Sequence, residues 1–441
     1  MTTRARSLLT SSAVVAALAA TMLVAPTATA SPATTVASTT VATGTAAVSA
    51  PTLTTAYTKS AADARIVSKL TARVTTARFG TQFSGAVMDA RTGTLLWSKD
   101  GNTALKPAST IKFVAATNAL RRFGPTYRFT TVVRRGAQAD QVVLVGSGDP
   151  ALSSTQLVAL AKQTAYTMKA NGQLRVRLYA DDTLFAAPSL ATGWPSSYVP
   201  DETTWLRSLV VDGRQVTDTS IDAAKIFAAK LKTYGITVAS VARGTASTAN
   251  PVLASSAGQT IDQIVTRMMM ESDNEHAEAL HRLVGVSSGA GKTWSAASSA
   301  AQKGLTYEGL SATAIYDGSG LSRSDRLTSI QLAKMVKNTF ESGNKVPFRI
   351  LRSSPGLPQA GMTGTLKASY DRFTASTSKC AVGKVYAKTG TLRDAVALAG
   401  WTVGKDGRIK AFAFIINGNP TSTTLMRQNI DMLAATVNGC Y

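Results

Sequence analysis

Between Ser109 and Phe123 apolar side chains recur every three or four positions, with Ile111, Val114, Ala115 and Leu120 on one face, and Gly124-Pro125 closes the run. That period predicts a helix burying one side. The same spacing predicts helices over Thr155 to Lys169, Ala223 to Tyr234, Ile261 to Met270, Asn274 to Leu283 and Thr424 to Val437. Period-two or short apolar runs predict strands at Phe83 to Met88 and Leu95 to Ser98, joined by the turn Ala90-Arg91-Thr92-Gly93, and at Val142 to Val145 and Leu174 to Tyr179. Three more follow near the C-terminus: Lys384 to Lys388, Val396 to Val403 and Ile409 to Asn417, with turns at Gly390 and Lys405-Asp406-Gly407. Strands at both ends with helices between them predict one α+β domain whose terminal strands share a sheet. The alternating texture of 136–239 reads as an insertion in a unit built from 57–135 and 240–441.

The N-terminal pattern is different. Arg4 and Arg6 precede an apolar run from Ala13 to Ala25, and Ala28-Thr29-Ala30 offers a small-x-small cleavage site, so 1–30 reads as an export signal with the mature chain starting at Ser31. The run is too short for a bilayer span, which takes about 20 residues. From Ser31 to Ala56 the chain is almost all Ala, Thr, Ser, Val and Pro without a charge, which predicts a flexible tether.

Composition narrows the surroundings. With 441 residues and 44% apolar content the chain can bury a real core. Its formal charge is +22, and loss of the signal's two arginines leaves +20, so an acidic neighbour is expected. The basic residues are dispersed and no nucleic-acid motif appears, so an anionic cell wall or membrane surface fits better than nucleic acid. The only cysteines, Cys380 and Cys440, are predicted to form a disulfide in the oxidising compartment that the signal implies. Nothing in the sequence sets an oligomeric state, and no cofactor or metal site is expected.

Three short motifs carry the chemistry. Ser109-Thr110-Ile111-Lys112 places a hydroxyl at a helix start and a lysine one turn on, where burial would keep the amine neutral and able to act as base. The helix start also offers an oxyanion a backbone donor. Ser272-Asp273-Asn274 would project Ser272 and Asn274 into a cleft, the first as proton relay and the second to hold a substrate amide. Lys388-Thr389-Gly390-Thr391 lies on a strand to which an extended peptide can add, with Lys388 and Thr389 as donors for a terminal carboxylate and Gly390 permitting close approach. Ser-x-x-Lys recurs at Ser342 and Ser376, and Ser-x-Asn recurs at Ser342, so order and placement carry the inference rather than any one motif.

The ordered triplet resembles that of the penicillin-binding proteins, most closely the class C low-molecular-mass D-alanyl-D-alanine carboxypeptidase/endopeptidase group that includes penicillin-binding protein 4. Further residues support the resemblance: Gly146-Ser147-Gly148-Asp149-Pro150, Asp181-Asp182 with Phe185, Gly193-Trp194, the loop Asp317 to Arg323, and Gly364-Thr365-Leu366. The 163 residues between Ser109 and Ser272 leave room for the insertion found in that group. The resemblance implies a serine β-lactamase/transpeptidase-like fold, with an antiparallel sheet flanked by helices, a helical lobe and an inserted smaller domain. It implies that Ser109 is acylated with Lys112 as base, that Ser272 and Asn274 complete the relay, and that Lys388 and Thr389 hold the terminal carboxylate. The amides of Ser109 and Thr391 would form the oxyanion hole. Asp149 and Arg323 would line a pocket for the residue upstream of the scissile bond. The expected substrates are peptidoglycan stem peptides, with β-lactam antibiotics as acylating inhibitors.

Two other readings share these residues. A β-lactamase of the same fold would need a water-activating group, for which Glu308 is the candidate, and a non-catalytic wall-binding protein would use the basic charge alone. His276 and His281 are the only histidines and lie five apart, so they predict a solvated helix with Glu275 and Glu278 rather than a Ser-His-Asp triad or a metal site.

Overall fold

Large and small side chains alternate along Ile409–Asn417, and this alternation shapes the sheet that carries the site. Phe412, Phe414 and Ile416 point to one face, while Ala411, Ala413 and Ile415 point to the other, as the two-residue repeat of a strand requires. The computed structural model describes residues 60–77, 79, 82–311, 313–344, 346–418 and 422–441. The export signal and tether expected within 1–56 lie outside the described residues. The chain runs α1 (Ala61–Thr76), β1 (Gln82–Asp89), β2 (Leu95–Lys99), a 3-10 turn (Ala108–Ile111), α2 (Lys112–Phe123), β3 (Arg128–Arg135), β4 (Gln141–Val145), α3 (Ser154–Ala170) and β5 (Arg175–Asp181). It continues through α4 (Thr219–Thr233), β6 (Thr237–Arg243), β7 (Val252–Thr260), α5 (Ile261–Glu271), α6 (Asn274–Ser287), α7 (Trp294–Tyr307) and α8 (Ser329–Asn338). It ends with β8 (Val385–Leu392), β9 (Ala395–Val403), β10 (Ile409–Asn417) and α9 (Thr423–Asn438).

The first sheet has the order β2-β1-β10-β9-β8, so strands from both ends of the chain meet in antiparallel pairing at β1–β10. Its phenylalanine face packs against Ile66 and Leu70 of α1 and Met426, Ile430 and Leu433 of α9. Its alanine face, with Ala397 and Ala399 from β9, takes the helical lobe, and the absent side-chain bulk brings α8 and the 3-10 turn of Ala108–Ile111 close to the sheet. Helix α1 adds to the elements predicted from periodicity. Ser60 and Asp63 form its capping box, and Asp63 also accepts from the buried Lys410 Nζ at 2.6 Å, tying helix to sheet.

A second sheet, β6-β5-β4-β3-β7, is covered by α3 and α4 around its own apolar cluster. It reaches beyond the expected 136–239 on both sides, because β3 and β7 pair antiparallel with each other from Arg128↔Thr260 to Arg134↔Val252. The chain enters this sheet after α2 and leaves it at α5, where the Ile261 and Asp262 amides donate to the Tyr127 and Pro125 carbonyls. The long connection after β5 buries Phe185, Trp194 and Leu206 in the same apolar cluster as the helical lobe.

Two further expectations meet the structure here. Gly390 is not a turn: β8 runs through it, and the chain reverses at Arg393-Asp394. A Cβ at Gly390 would stand 2.8 Å from the Pro107 carbonyl oxygen and 3.1 Å from the Ser109 nitrogen, so glycine is needed for close approach rather than for turning. Cys380 and Cys440 do form a disulfide, which pins the end of α9 to the segment before β8 across 60 residues. A loop of that length corresponds to a stabilisation of about 4 kcal/mol.

Candidate active site

Ser109 sits in the 3-10 turn rather than in the α-helix proper, which begins at Lys112. Ala108, just before it, holds a left-handed φ of 46°, and Gly320 lies so close that a Cβ there would be 2.1 Å from the Ala108 carbonyl oxygen. This strained turn aims Ser109 at Lys112, whose Nζ is 3.0 Å from Ser109 Oγ. The same nitrogen is 2.8 Å from both Asn274 Oδ1 and the Ser319 carbonyl oxygen. A neutral amine has two N–H bonds and one lone pair. Asn274 and Ser319 take the two hydrogens, leaving the lone pair for the Ser109 hydroxyl. Lys112 is fully buried, and burial pushes its ammonium down to about 8 against the opposing pull of Glu278, Asp317 and Asp273.

The second motif stands where two helices meet. Ser272 ends α5 in the left-handed conformation at φ 59°, Asp273 caps α6 by accepting from the His276 amide at 3.0 Å, and Asn274 is the first residue of α6. Asp273 also pairs with Arg267 at 3.1 Å, so its side chain is engaged in capping while its neighbours face the cleft. The Asn274 amide nitrogen donates to the Glu202 carbonyl at 2.9 Å, a contact made by the connection that returns from the second sheet.

The third motif contributes differently from its neighbours. Lys388 is fully buried, and its Nζ donates to Ser272 Oγ at 2.8 Å and to the Thr389 carbonyl at 2.7 Å. Burial, then Lys112 and Arg372, hold its ammonium well below the usual lysine range. Thr389 Oγ1 donates to Thr365 Oγ1 at 2.8 Å. Ser109, Ser272, Thr389 and Thr391 open onto a cavity of about 300 Å³ whose other walls are Thr365, Tyr370, Arg372 and Arg427. A second cavity of about 340 Å³ lies on the other side of Ser272, lined by Asn274, Pro150, Asp201, Glu202 and Arg267 among others.

Helix α6 is not solvated. Glu278, His276, His281 and Arg282 are all buried, because the helix runs through the lobe between α2, α7 and the Asp317 loop. Glu278 is the residue that the sequence pattern hid. Its carboxylate accepts from the Gly318 and Ser319 amides at 2.9 and 2.8 Å, holding the turn whose Ser319 carbonyl meets Lys112. Burial and then Asp317 push its carboxyl up. Asp317 closes the turn from the other side, accepting from Gly320 and Ser322 amides and from Trp194 Nε1 at 2.7 Å. The signal was present in spacing alone: Glu278 lies four residues after Asn274, on the same helix face. His281 is kept neutral, its imidazolium pushed down to about 4 by burial.

Other candidates fall outside this cluster. Glu308 accepts from Arg121 Nε at 3.1 Å and from Asn338, so it is consumed by an ion pair at the end of α7 rather than placed to activate water. Asp149 is buried, accepts from the Ala151 amide at 2.9 Å, and has its carboxyl raised by burial. Arg323 pairs with Asp394 at 2.7 Å, in the turn between β8 and β9. Neither of these two is on the wall of the cavity in front of Ser109.

A model of the D-Ala-D-Ala carboxypeptidase 3 (S13) family matches residues 66–205 and 207–437. The chain is 30% identical over 380 residues to carboxypeptidase DacB of Mycolicibacterium smegmatis, covering 81% of this chain and 80% of that one. It is 28% identical over 441 residues to the D-alanyl-D-alanine carboxypeptidase of Actinomadura sp. (strain R39), covering 78% of this chain and 79% of that one. Penicillin binding protein 4 of Haemophilus influenzae shares the fold, with a TM-score of 0.71 at 19% identity over 82% of this chain and 98% of that one. A family match over most of the chain, with a relative 30% identical across four-fifths of both lengths, places this chain in the D-Ala-D-Ala carboxypeptidase 3 (S13) family.

Proposed function

We propose that the chain is a serine DD-peptidase that removes the terminal D-Ala from peptidoglycan stem peptides and cleaves cross-links of the same chemistry, through an acyl-enzyme on Ser109. The contact of a fully buried Lys112 amine with Ser109 Oγ at 3.0 Å carries this reading. Neutral Lys112 takes the Ser109 proton as Oγ attacks the D-Ala carbonyl carbon, and the amides of Ser109 and Thr391 receive the developing oxyanion. Ser272, held by Lys388, passes a proton to the departing nitrogen and takes back the one that Lys112 removed from Ser109, so that both return to their starting forms. The C–N bond breaks, free D-Ala leaves, and an ester remains on Ser109. Water then attacks the ester carbonyl and gives up its proton as Ser109 Oγ recovers one. Penicillins acylate the same oxygen. A contact of Asp149 and Arg323 with the upstream side chain would lie outside the cavity in front of Ser109, since neither residue lines it, and the unit carrying the second sheet is the insertion between the first two motifs. Export after cleavage near Ala30 brings the basic surface to an anionic wall.

Defined muropeptides test the reading. Incubation with a pentapeptide monomer should release one free D-Ala per peptide, and a D-Ala-linked dimer should yield monomers. If folded protein leaves both substrates intact, the proposal fails.

Glu278 supports the base through the Ser319 turn. A Glu278→Gln variant would set an amide N–H against one of two backbone N–H donors. The expected cost is about 1–3 kcal/mol of stability, with acylation of Ser109 slowed by about tenfold or more. Thermal unfolding and penicillin-labelling rates read the two effects, and an unchanged labelling rate would show that the turn does not depend on this carboxylate.

A further inference from the structure

A substrate ending in a carboxylate calls for a cation on the leaving-group side of the scissile amide. Lys388 is not on the cavity wall, and its ammonium is directed to Ser272 Oγ and the Thr389 carbonyl. Arg372 reaches the wall, but its Nε and Nη2 are committed to buried Asp431, with Nε 2.9 Å from Oδ2. Arg427 differs from both. It lies one turn before Asp431 on α9, lines the same cavity as Thr389 and Thr391, and makes no hydrogen bond or ion pair among the described residues. Arg372 and Arg427 share the single charge of Asp431, so this corner retains one uncompensated positive charge. Burial and then Arg372 both push the Arg427 guanidinium down, a strain that a bound anion would relieve.

We propose that Arg427 supplies the cation that binds the carboxylate of the substrate's C-terminal residue. The inference rests on the DD-peptidase reading and names the recognition charge of that same site. Arginine suits the position because its planar fork meets a carboxylate with two parallel N–H donors. Thr365 lines the same cavity, and since its oxygen takes the Thr389 proton, its own hydroxyl hydrogen can turn into the cavity. Arg427 is a binding residue and takes no part in proton transfer.

The test compares peptide donors ending in D-Ala-D-Ala as free acid with the same donors as C-terminal amides. Arg427→Gln should lower kcat/KM on the acid by about 10- to 100-fold, mainly through KM, and on the amide by less than about threefold. Arg427→Lys, which keeps the charge and the fold, should retain more of the acid preference than Arg427→Gln. Equal losses on acid and amide, or an acid preference that survives Arg427→Gln, would overturn the proposal. A wild-type protein that penicillin does not acylate would instead overturn the underlying reading. That is a different result from an acylable enzyme indifferent to Arg427.

Discussion

Replacing Ser109 with alanine should abolish the covalent adduct with labelled penicillin and lower D-Ala release by about 10⁴-fold or more. The size follows from the chemistry. No other hydroxyl stands 3.0 Å from the Lys112 amine among the described residues, so no substitute nucleophile inherits the activated position. The fold should tolerate the change. The Lys112 amine retains Asn274 Oδ1 and the Ser319 carbonyl, both at 2.8 Å, and no buried group loses its last partner. Stability should therefore shift by less than about 1 kcal/mol. Mass spectrometry after penicillin treatment checks the first effect and thermal unfolding the second. An adduct of full stoichiometry on Ser109→Ala would place the nucleophile elsewhere, with Ser272, the other serine on the cavity wall, the first to test.

The second large effect concerns Lys112 and pH. Burial pushes its ammonium down to about 8, and only the neutral amine can take the Ser109 proton. The rate of acylation should therefore rise about tenfold per unit as pH climbs toward 8 and level off above it. The direction is fixed by which form is the base: acid protonates Lys112, fills its lone pair and leaves Ser109 Oγ facing a donor. Lys112→Ala should reduce acylation by about 10²- to 10⁴-fold and remove this rising limb. Rates of penicillin labelling from about pH 6 to 9.5, for wild type and variant, measure both. A wild-type rate independent of pH across that range would contradict the assignment of Lys112 as base.

Both predictions depend on residues that the sequence displayed openly, and the reason is locality. Ser109 and Lys112 are three apart, so one helical turn brings them together whatever the rest of the chain does. Ser272 and Asn274 likewise need only the break between two helices, which Asp273 caps. The neighbours of these residues were less visible. Glu275, His276, Glu278 and His281 look like a solvated helix face, because charged residues are ordinarily exposed. Here the lobe covers His276, Glu278 and His281, and the desolvation of Glu278 is offset by the Gly318 and Ser319 amides, two backbone groups that no side-chain pattern announces. Gly390 reads equally well as a turn or as a place of close approach, and only the position of the Ser109 turn beside it decides between the two.

By itself, then, the sequence determined the α+β class, the order of the three motifs, the acyl-transfer chemistry and the disulfide between its only two cysteines. Each depends on periodicity, short-range spacing or elimination. Tertiary structure alone decided that Lys388 holds Ser272, that β3 and β7 pair antiparallel across more than a hundred residues, and that Arg427 faces the cavity while Arg372 is neutralised by Asp431. These contacts join positions that are tens to hundreds of residues apart or depend on which face of a helix is covered. Such pairings are settled by how the sheets and the lobe bury their apolar faces together, and the local pattern of the chain does not specify them.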